Sequence, residues 1–293
     1  MFEGYNIREF LSRFDTEEKC HQYLYDLKWV NGFLCSKCKH KTSCKTSDFR
    51  VIKCTKCKTK HSTTSNTLFH KLKFSLMDAF LIVFLVSTDK KGVSSLELNR
   101  RLSRRAKTCY YFKRKVMKAM HSSGTVKLNG NVEVDEAFVG GMEEGKPGRS
   151  KGKKKEFIMA VQIKNNRVVR AYAKVIKACS TAEFTPFFEK YIDKDAKVKT
   201  DKWPSYNPLK KEYVNLVQEK SEPQKNFKIF HREVMMLKSA IRGIYQHVTH
   251  LQDYLDEYLY RKNNCNSKRN FHNVLARMIK HQPVYVKNIN VLG

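Results

Sequence analysis

Two pairs of cysteines in the first quarter of the chain have the spacing of a metal site. Two residues separate Cys35 from Cys38 and Cys54 from Cys57, and fifteen residues lie between the two pairs. Each pair can direct two thiolates at one ion, and a tetrahedral site with four thiolates leaves no position open for a substrate. The spacing therefore favours a structural zinc ion over the alternative of four unligated thiols.

The remaining cysteines carry no metal motif. His40, Cys44 and His61 lie near the two pairs, but their spacing is irregular and we do not favour them as substitute ligands. A total of nine cysteines is odd, which argues against a disulfide framework and for a reducing compartment. Residues 1–14 lack the uninterrupted apolar stretch of a secretory signal, so we expect a cytoplasmic protein.

Two aspartates lie where strands are predicted. Asp135 interrupts the apolar stretch 132–139, and Asp201 follows the predicted strand 197–200. A buried carboxylate is costly unless a cation or hydrogen bonds compensate it, and carboxylates at strand ends can hold the Mg²⁺ ions of a phosphoryl-transfer site. Taken alone, these two residues fit a capping or salt-bridging role better than a catalytic one.

The charge balance indicates a polyanionic partner. The 293 residues include 58 Lys and Arg against 28 Asp and Glu, which gives a formal net charge of +30. Such a surplus would repel itself unless a polyanion is the usual partner, and nucleic acid is the first candidate. A membrane surface is the competing explanation, but the longest apolar run, residues 79–86, is too short to span a bilayer and fits a buried helix.

Basic residues cluster around two predicted helices that follow the cysteine pairs. Ser75 can cap a first helix, Ser94 with Glu97 forms a capping box for a second, and a third runs from about residue 105 to 120. A helix-turn-helix would place cations of the last two helices against phosphates and base edges. This basic set comprises Arg100, Arg101, Arg104, Arg105, Lys107, Lys113, Arg114 and Lys115. Alone, such a helix pair is more often a general polyanion surface, but the adjoining cysteine-rich segment favours specific DNA binding.

The elements that must position these residues fall into three predicted domains. Residues 1–73 hold two short helices and the cysteine pairs, and residues 74–123 hold the helix-turn-helix. From residue 124 to 293 we predict an α/β layer, with the basic run 146–155 as a loop between its first two strands. The predicted elements of this layer are strands at 132–139, 157–163, 168–175 and 197–200 and helices at 181–191 and from about 249.

Several segments resemble the bacterial insertion-sequence transposases that join a zinc ribbon to a DDE domain. The segments are 132–141 (VEVDEAFVGG), 200–206 (TDKWPSY), 236–248 (MLKSAIRGIYQHV) and 251–263 (LQDYLDEYLYRKN), and residues 14–67 resemble the ribbon of that family. The resemblance implies an α+β chain in which a zinc ribbon and a helix-turn-helix precede an RNase H-like catalytic domain. It also implies that Asp135 and Asp201 bind the catalytic metal and that Lys238 is the basic residue about two helical turns after the third catalytic position.

That third position, acidic in the family, falls at His231 in this chain. On a helix His231 and Lys238 share a face, whereas Glu233 lies roughly 200° around the axis from His231 and cannot simply replace it. We therefore expect His231 to be the third catalytic residue. Imidazole is a softer ligand than carboxylate and carries no negative charge, so we expect weaker Mg²⁺ binding and a relative preference for Mn²⁺. The alternative is an ordinary half-buried histidine in an inactive domain.

The sequence therefore predicts a transposase that binds the terminal inverted repeats of its element, hydrolyses phosphodiester bonds at the ends and joins the 3′ ends to target DNA. Its expected cofactors are structural Zn²⁺ and catalytic Mg²⁺ or Mn²⁺, and its expected partner is double-stranded DNA. Pairing of two ends would require a homodimer or a larger assembly. A DNA-binding regulator that kept the fold and lost the chemistry is the alternative, motivated by His231. An RNA-directed nuclease is less favoured because no platform for stacking single strands is evident.

Overall fold

The chain divides into two compact units. The computed structural model describes residues 1–140, 154–222, 225–245, 249–285 and 289, and most of the predicted basic loop 146–155 lies outside them. The first unit comprises Met1–Met120 and Asn266–Gly293, and the second comprises His121–Cys265. The C-terminal segment, which the sequence analysis placed with the strand-rich domain, thus groups with the N-terminal unit.

The first unit is helical apart from one small sheet. Its helices are α1 (Ile7–Arg13), α2 (Glu17–Lys28), α3 (Leu76–Thr88), α4 (Ser95–Leu102), α5 (Ala106–Met120) and α9 (Asn270–Lys280). Polar side chains cap the first four helices by accepting hydrogen bonds from backbone N–H groups that have no partner within the helix. These caps are Asn6, Thr16, Ser75 and Ser94, which confirms the two predicted for α3 and α4.

Aromatic rings form the core of this unit and explain why α9 belongs to it. Phe10 of α1 stacks on Phe84 of α3 with ring centroids 4.4 Å apart, and Phe271 of α9 lies 5.1 Å from Phe10 and 5.6 Å from Phe80. The N–H of Leu68 also donates to the carbonyl of Met278. Helix α3 is buried because it is apolar on most sides. None of the helices in the described part of the chain is long and apolar enough to cross a membrane.

The small sheet carries the cysteine pairs. Its strands are β1 (Ser43–Lys45), β2 (Val51–Cys54) and β3 (Lys60–Ser62), which pair antiparallel in that order. The buried residues of this module are few: Phe33, Cys35, Ile52 and Cys54. The ammonium group of Lys28 donates to the carbonyls of Ser62 and Ser65 at 2.8 and 2.6 Å, which ties α2 to the end of β3. A core this small needs an additional constraint to stay folded.

The second unit is built on a five-stranded sheet. The strands are β4 (Asn131–Val139), β5 (Lys155–Lys164), β6 (Arg167–Ile176), β7 (Lys197–Thr200) and β8 (Val217–Gln218). Their spatial order is β6-β5-β4-β7-β8; β4, β5 and β6 are antiparallel, whereas β7 runs parallel to β4 and β8 parallel to β7. The other elements are α6 (Thr181–Tyr191), a 3₁₀ helix (Pro204–Lys211), α7 (Lys228–Ala240), a π-helical segment (Ile241–Tyr245) and α8 (Leu251–Asn263).

Helices cover both faces of the sheet, because side chains of a strand alternate between them. Val132 and Val134 of β4 pack on one face with α6 and the 3₁₀ helix. Ala137 of the same strand packs on the other face with residues of α7 and α8, such as Phe230 and Leu255. This mixed α/β layer, preceded by a ribbon, confirms the fold class that the sequence predicted.

Candidate active site and zinc site

Two carboxylates lie close together on neighbouring parallel strands. Val134 of β4 pairs with Thr200 of β7, so the next residues along the two strands are Asp135 and Asp201. An oxygen of Asp135 accepts the backbone N–H of Glu136 at 2.8 Å, and an oxygen of Asp201 accepts that of Trp203 at 3.0 Å. The structure thus brings together the two aspartates that the sequence selected.

A third carboxylate joins this group, which the sequence analysis did not select. One oxygen each of Asp135, Glu136 and Asp201 lie within 4.8 Å of one another. The period of a strand places Glu136 on the opposite face of β4 from Asp135, which is why it was passed over. Only the uninterrupted pair of acidic residues inside an apolar strand could have drawn attention to it.

Glu136 is buried in an acidic surrounding. Its exposed fraction is 9%, and the hydroxyl of Tyr206, itself fully buried, lies beside it. Burial, together with the negative charges of Asp135 and Asp201, raises the pKa of Glu136 to about 8. The side chain is therefore held where a negative charge is unfavourable without a compensating cation.

The donor set fits a divalent cation. Three carboxylate oxygens at close range are hard ligands of the kind that Mg²⁺ and Mn²⁺ accept, and a bound cation would relieve their mutual repulsion. The residues in the middle of β4 and just after β7 thus agree with the metal that the family resemblance implies.

His231 lies on the first turn of α7, over the same side of the sheet. The N–H of Phe230 donates to the carboxylate of Glu133 at 3.3 Å, so this turn lies against the face of β4 that also carries Asp135. Nε2 of His231 is 3.4 Å from Oγ of Ser221. Among the described residues, the group of ligand atoms within 4.8 Å holds the three carboxylates and not His231.

Glu233 and Lys238 occupy different surroundings on α7. The carboxylate of Glu233 is buried and accepts hydrogen bonds from the hydroxyl of Tyr258 at 3.0 Å and the ammonium group of Lys262 at 2.7 Å, both on α8. Glu233 therefore ties α7 to α8. Lys238 is half-buried, and this burial lowers the pKa of its amine.

The four predicted zinc ligands lie together. Sγ of Cys35 is 3.5 Å from that of Cys57, Sγ of Cys38 is 3.6 Å from that of Cys54, and all four lie within 4.8 Å of one another. Hydrogen bonds from the side chain and backbone of Thr59 lower the pKa of Cys57 to about 5, which favours the thiolate that a metal requires.

His61 contacts this site without belonging to the group of four. Its Nε2 lies 3.4 Å from Sγ of Cys35, and its ring packs edge-on against Phe33. The imidazole can therefore hydrogen-bond to a ligand sulfur, which is a common way to orient a metal ligand from outside the coordination shell. The arrangement supports four thiolates as the zinc-binding set.

The basic set on α4 and α5 divides into surface and interior residues. The exposed members are Arg100, Arg101, Arg104, Arg105 and Lys107, whereas Lys115 is half-buried. Three of the exposed arginines form ion pairs. Nε of Arg100 and Nε of Arg101 lie 3.7 and 2.8 Å from the carboxylate of Glu97, and the guanidinium of Arg104 is 2.7 Å from Asp78. The exposed residues remain candidates for phosphate contacts.

Lys113 and Arg114 lie in the interior, contrary to the prediction that they contact DNA. Their exposed fractions are 2% and 1%, and the ammonium group of Lys113 donates to the carbonyl of Val93 at 2.7 Å. They lie on the face of α5 that also buries Phe112, Val116 and other apolar residues. Both side chains therefore lie inside the first unit, and the prediction that they contact DNA is corrected for these two residues.

Comparison with known sequences identifies the class of protein. A family model described as the ISXO2-like transposase domain matches residues 127–263, and one described as the transposase zinc-ribbon domain matches residues 15–60. The protein is therefore a transposase with a zinc ribbon and a DDE domain. It belongs to the insertion-sequence family that its motifs resemble. No curated protein matches the chain significantly.

The solved structures that match this chain are distant from it in sequence. The "pre-cleavage Mos1 transpososome" is 12% identical over 68% of this chain and 76% of that chain, with a TM-score of 0.28. The "Mos1 Strand Transfer Complex" is 11% identical over 69% of this chain and 75% of that chain, with a TM-score of 0.32. The family assignment rests on the two sequence matches.

Proposed function

We propose that this transposase binds the terminal inverted repeats of its element, hydrolyses phosphodiester bonds at the ends and joins the freed 3′ ends to target DNA. The observation that carries this proposal is the meeting of Asp135 and Asp201 on paired parallel strands. Phosphoryl transfer needs acidic ligands held at such a point, and the excess of basic residues supplies the attraction for DNA.

In this proposal each residue has a separate task. Asp135 and Asp201 hold Mg²⁺ or Mn²⁺, which when bound activates the attacking oxygen and stabilises the leaving one. His231 is the third catalytic residue, and Lys238 contacts a phosphate or base near the cut. The exposed arginines of α4 and of the turn before α5 hold the duplex. The four cysteines hold structural zinc, and two copies or more pair the two DNA ends in the cytoplasm.

Strand cleavage tests the proposal directly. A duplex that carries the repeat flanking the gene should be nicked at its end by the parent protein with Mg²⁺ or Mn²⁺. Asp135→Asn and Asp201→Asn should each lower the cleavage rate by roughly 10³-fold or more, because a metal ligand supplies several kcal/mol of transition-state stabilisation. Glu133→Gln is the matched control, since it removes a charge from the same strand and should cut normally. Cleavage that persists in both aspartate variants would refute the proposal.

A DNA-binding regulator without catalytic activity is the second candidate, and the observation that favours it is the histidine at position 231. A regulator would bind a specific duplex with its exposed arginines and would leave the strands intact with either metal. Inverted repeats on both sides of the gene favour the mobile enzyme, whereas a gene inside an operon without repeats favours the regulator. A specific duplex that is bound but never cut by the parent would decide for the regulator.

A further inference from the structure

We propose that Glu136 is a third carboxylate ligand of the divalent metal at the Asp135 and Asp201 site. This inference rests on the proposed function and adds a residue to it. It gives this chain three carboxylate ligands at the metal, although a histidine stands at the third position, which is acidic in the family.

Glu136 leaves the backbone of β4 on the opposite face of the sheet from Asp135. Asp135 points to the α7 face of the sheet and Glu136 starts on the face of α6 and the 3₁₀ helix. The N–H of Glu136 donates a hydrogen bond to the carboxylate of Asp135, which holds that carboxylate beside the backbone of Glu136. The longer side chain of Glu136 then reaches within 4.8 Å of both Asp135 and Asp201.

Burial makes a purely structural role for this carboxylate expensive. The same face of β4 buries Val132 and Val134 in an apolar cluster, and only 9% of Glu136 is exposed. The charged groups that act most strongly on Glu136 are Asp135 and Asp201, which are both acidic. Three carboxylates in such a position repel one another, whereas a divalent cation among them would turn each repulsion into a ligand bond.

The number of negatively charged ligands at the site also favours Glu136 as a metal ligand. Two aspartates and one imidazole, which supplies no negative charge, would bring two negative charges to ions that carry two positive charges each. Hard cations such as Mg²⁺ favour anionic oxygen over nitrogen ligands. Glu136 supplies an anionic oxygen that compensates for the missing acid at position 231.

Metal binding without DNA tests the inference. The full-length protein, loaded with zinc, is titrated with Mn²⁺ while the water proton relaxation or the electron spin resonance signal of free Mn²⁺ is followed. Glu136→Gln should weaken Mn²⁺ binding by roughly tenfold or more, in the manner of Asp135→Asn. Glu133→Gln, which lies on the same strand and keeps an acceptor for the N–H of Phe230, should bind Mn²⁺ like the parent.

Thermal unfolding separates a ligand from a structural residue. Without Mn²⁺, Glu136→Gln should melt at the same temperature as the parent or higher, because glutamine is neutral and removes a buried acid from beside Asp135 and Asp201. With saturating Mn²⁺, the parent should gain stability and the variant should gain much less. Tyr206→Phe keeps the carboxylate and removes its hydroxyl neighbour, so it should retain most of the Mn²⁺ affinity.

These experiments distinguish failure of the inference from failure of the proposed function. Parental Mn²⁺ affinity in Glu136→Gln, or a loss that Tyr206→Phe reproduces in full, would overturn the inference. If the glutamine variant does not fold, Glu136→Asp takes its place, because it keeps the charge and withdraws the carboxylate by one methylene. Failure of Asp135→Asn to weaken Mn²⁺ binding would instead refute the metal site of the proposed function.

Discussion

The zinc site and the carboxylate site gather their ligands in opposite ways. The cysteines lie in two short motifs on a module with a very small core, and we expect the fold around them to depend on an ion. The carboxylates lie on strands that are distant in sequence, and hydrogen bonds of the sheet hold them together while their charges repel. One site should therefore need its metal in order to fold, whereas the other should be folded before its metal binds.

Zinc removal should have the largest effect on stability. A structural zinc ion contributes about 10 kcal/mol or more to the folding of a small module, so a strong chelator or Cys57→Ser should unfold the ribbon. We expect new proteolytic sites between β1 and β3 and a loss of circular dichroism in the full-length protein. Cys44→Ser is the matched control, because Cys44 is an exposed cysteine of the same sheet outside the ligand group. A chelated protein with an unchanged proteolysis pattern would contradict the distinction drawn between the two sites.

Truncation of Phe271 should have the next largest effect. The helices of the first unit hold together through aromatic packing across the sequence, and Phe271 of α9 lies at its centre. Phe271→Ala should lower the free energy of unfolding of this unit by about 3–5 kcal/mol, measured by denaturant titration. Ile289, which is also buried, serves as a comparison near the chain end, where Ile289→Val should cost about 1 kcal/mol. Equal stability of the parent and Phe271→Ala would show that α9 is not part of this core.

Replacement of His231 should alter the choice of metal. His231→Ala should lower strand cleavage by roughly 10–100-fold, and His231→Glu should raise activity with Mg²⁺ relative to Mn²⁺, because carboxylate is the harder ligand. Cleavage rates measured with each metal give this ratio. If His231→Ala cuts as well as the parent while Glu233→Gln does not, with stability matched, the third residue has been assigned incorrectly. The stability measurement is needed because Glu233 is buried and paired with Lys262.

Local patterns in the sequence predicted much of the fold. The caps Ser75 and Ser94, the grouping of the four cysteines and four of the five strands of the larger sheet follow from signals within a few residues, whereas β8 was not predicted. The predicted strand at 197–200 has the same limits as β7. The predicted helix at 181–191 has the same limits as α6, which contains Pro186.

Features that depend on tertiary packing were missed. The grouping of α9 with the first unit requires contacts between the two chain ends, and no local pattern encodes them. Glu136 was passed over because alternation along a strand gives the starting direction of a side chain and not the reach of a long one. The burial of Lys113 could have been recognised, since it lies on the stripe of α5 defined by Cys109, Phe112 and Val116.

Arg105 and Lys113 offer the smallest and most selective test, because the two cations belong to the same basic cluster in sequence, and Arg105 is exposed whereas Lys113 is buried. Arg105→Gln should weaken DNA binding and reduce the slope of log affinity against log salt by about 0.9, since one phosphate contact fewer releases one counterion fewer. Lys113→Gln should leave that slope unchanged, because its ammonium group is used inside the unit on the carbonyl of Val93. It should instead lower the free energy of unfolding by about 1–3 kcal/mol, the usual cost of a buried hydrogen-bonding group left without its partner. Measurement of the DNA affinity of each folded variant at several salt concentrations tests this difference. A reduced slope for Lys113→Gln together with a parental slope for Arg105→Gln would show that Lys113, and not Arg105, contacts DNA.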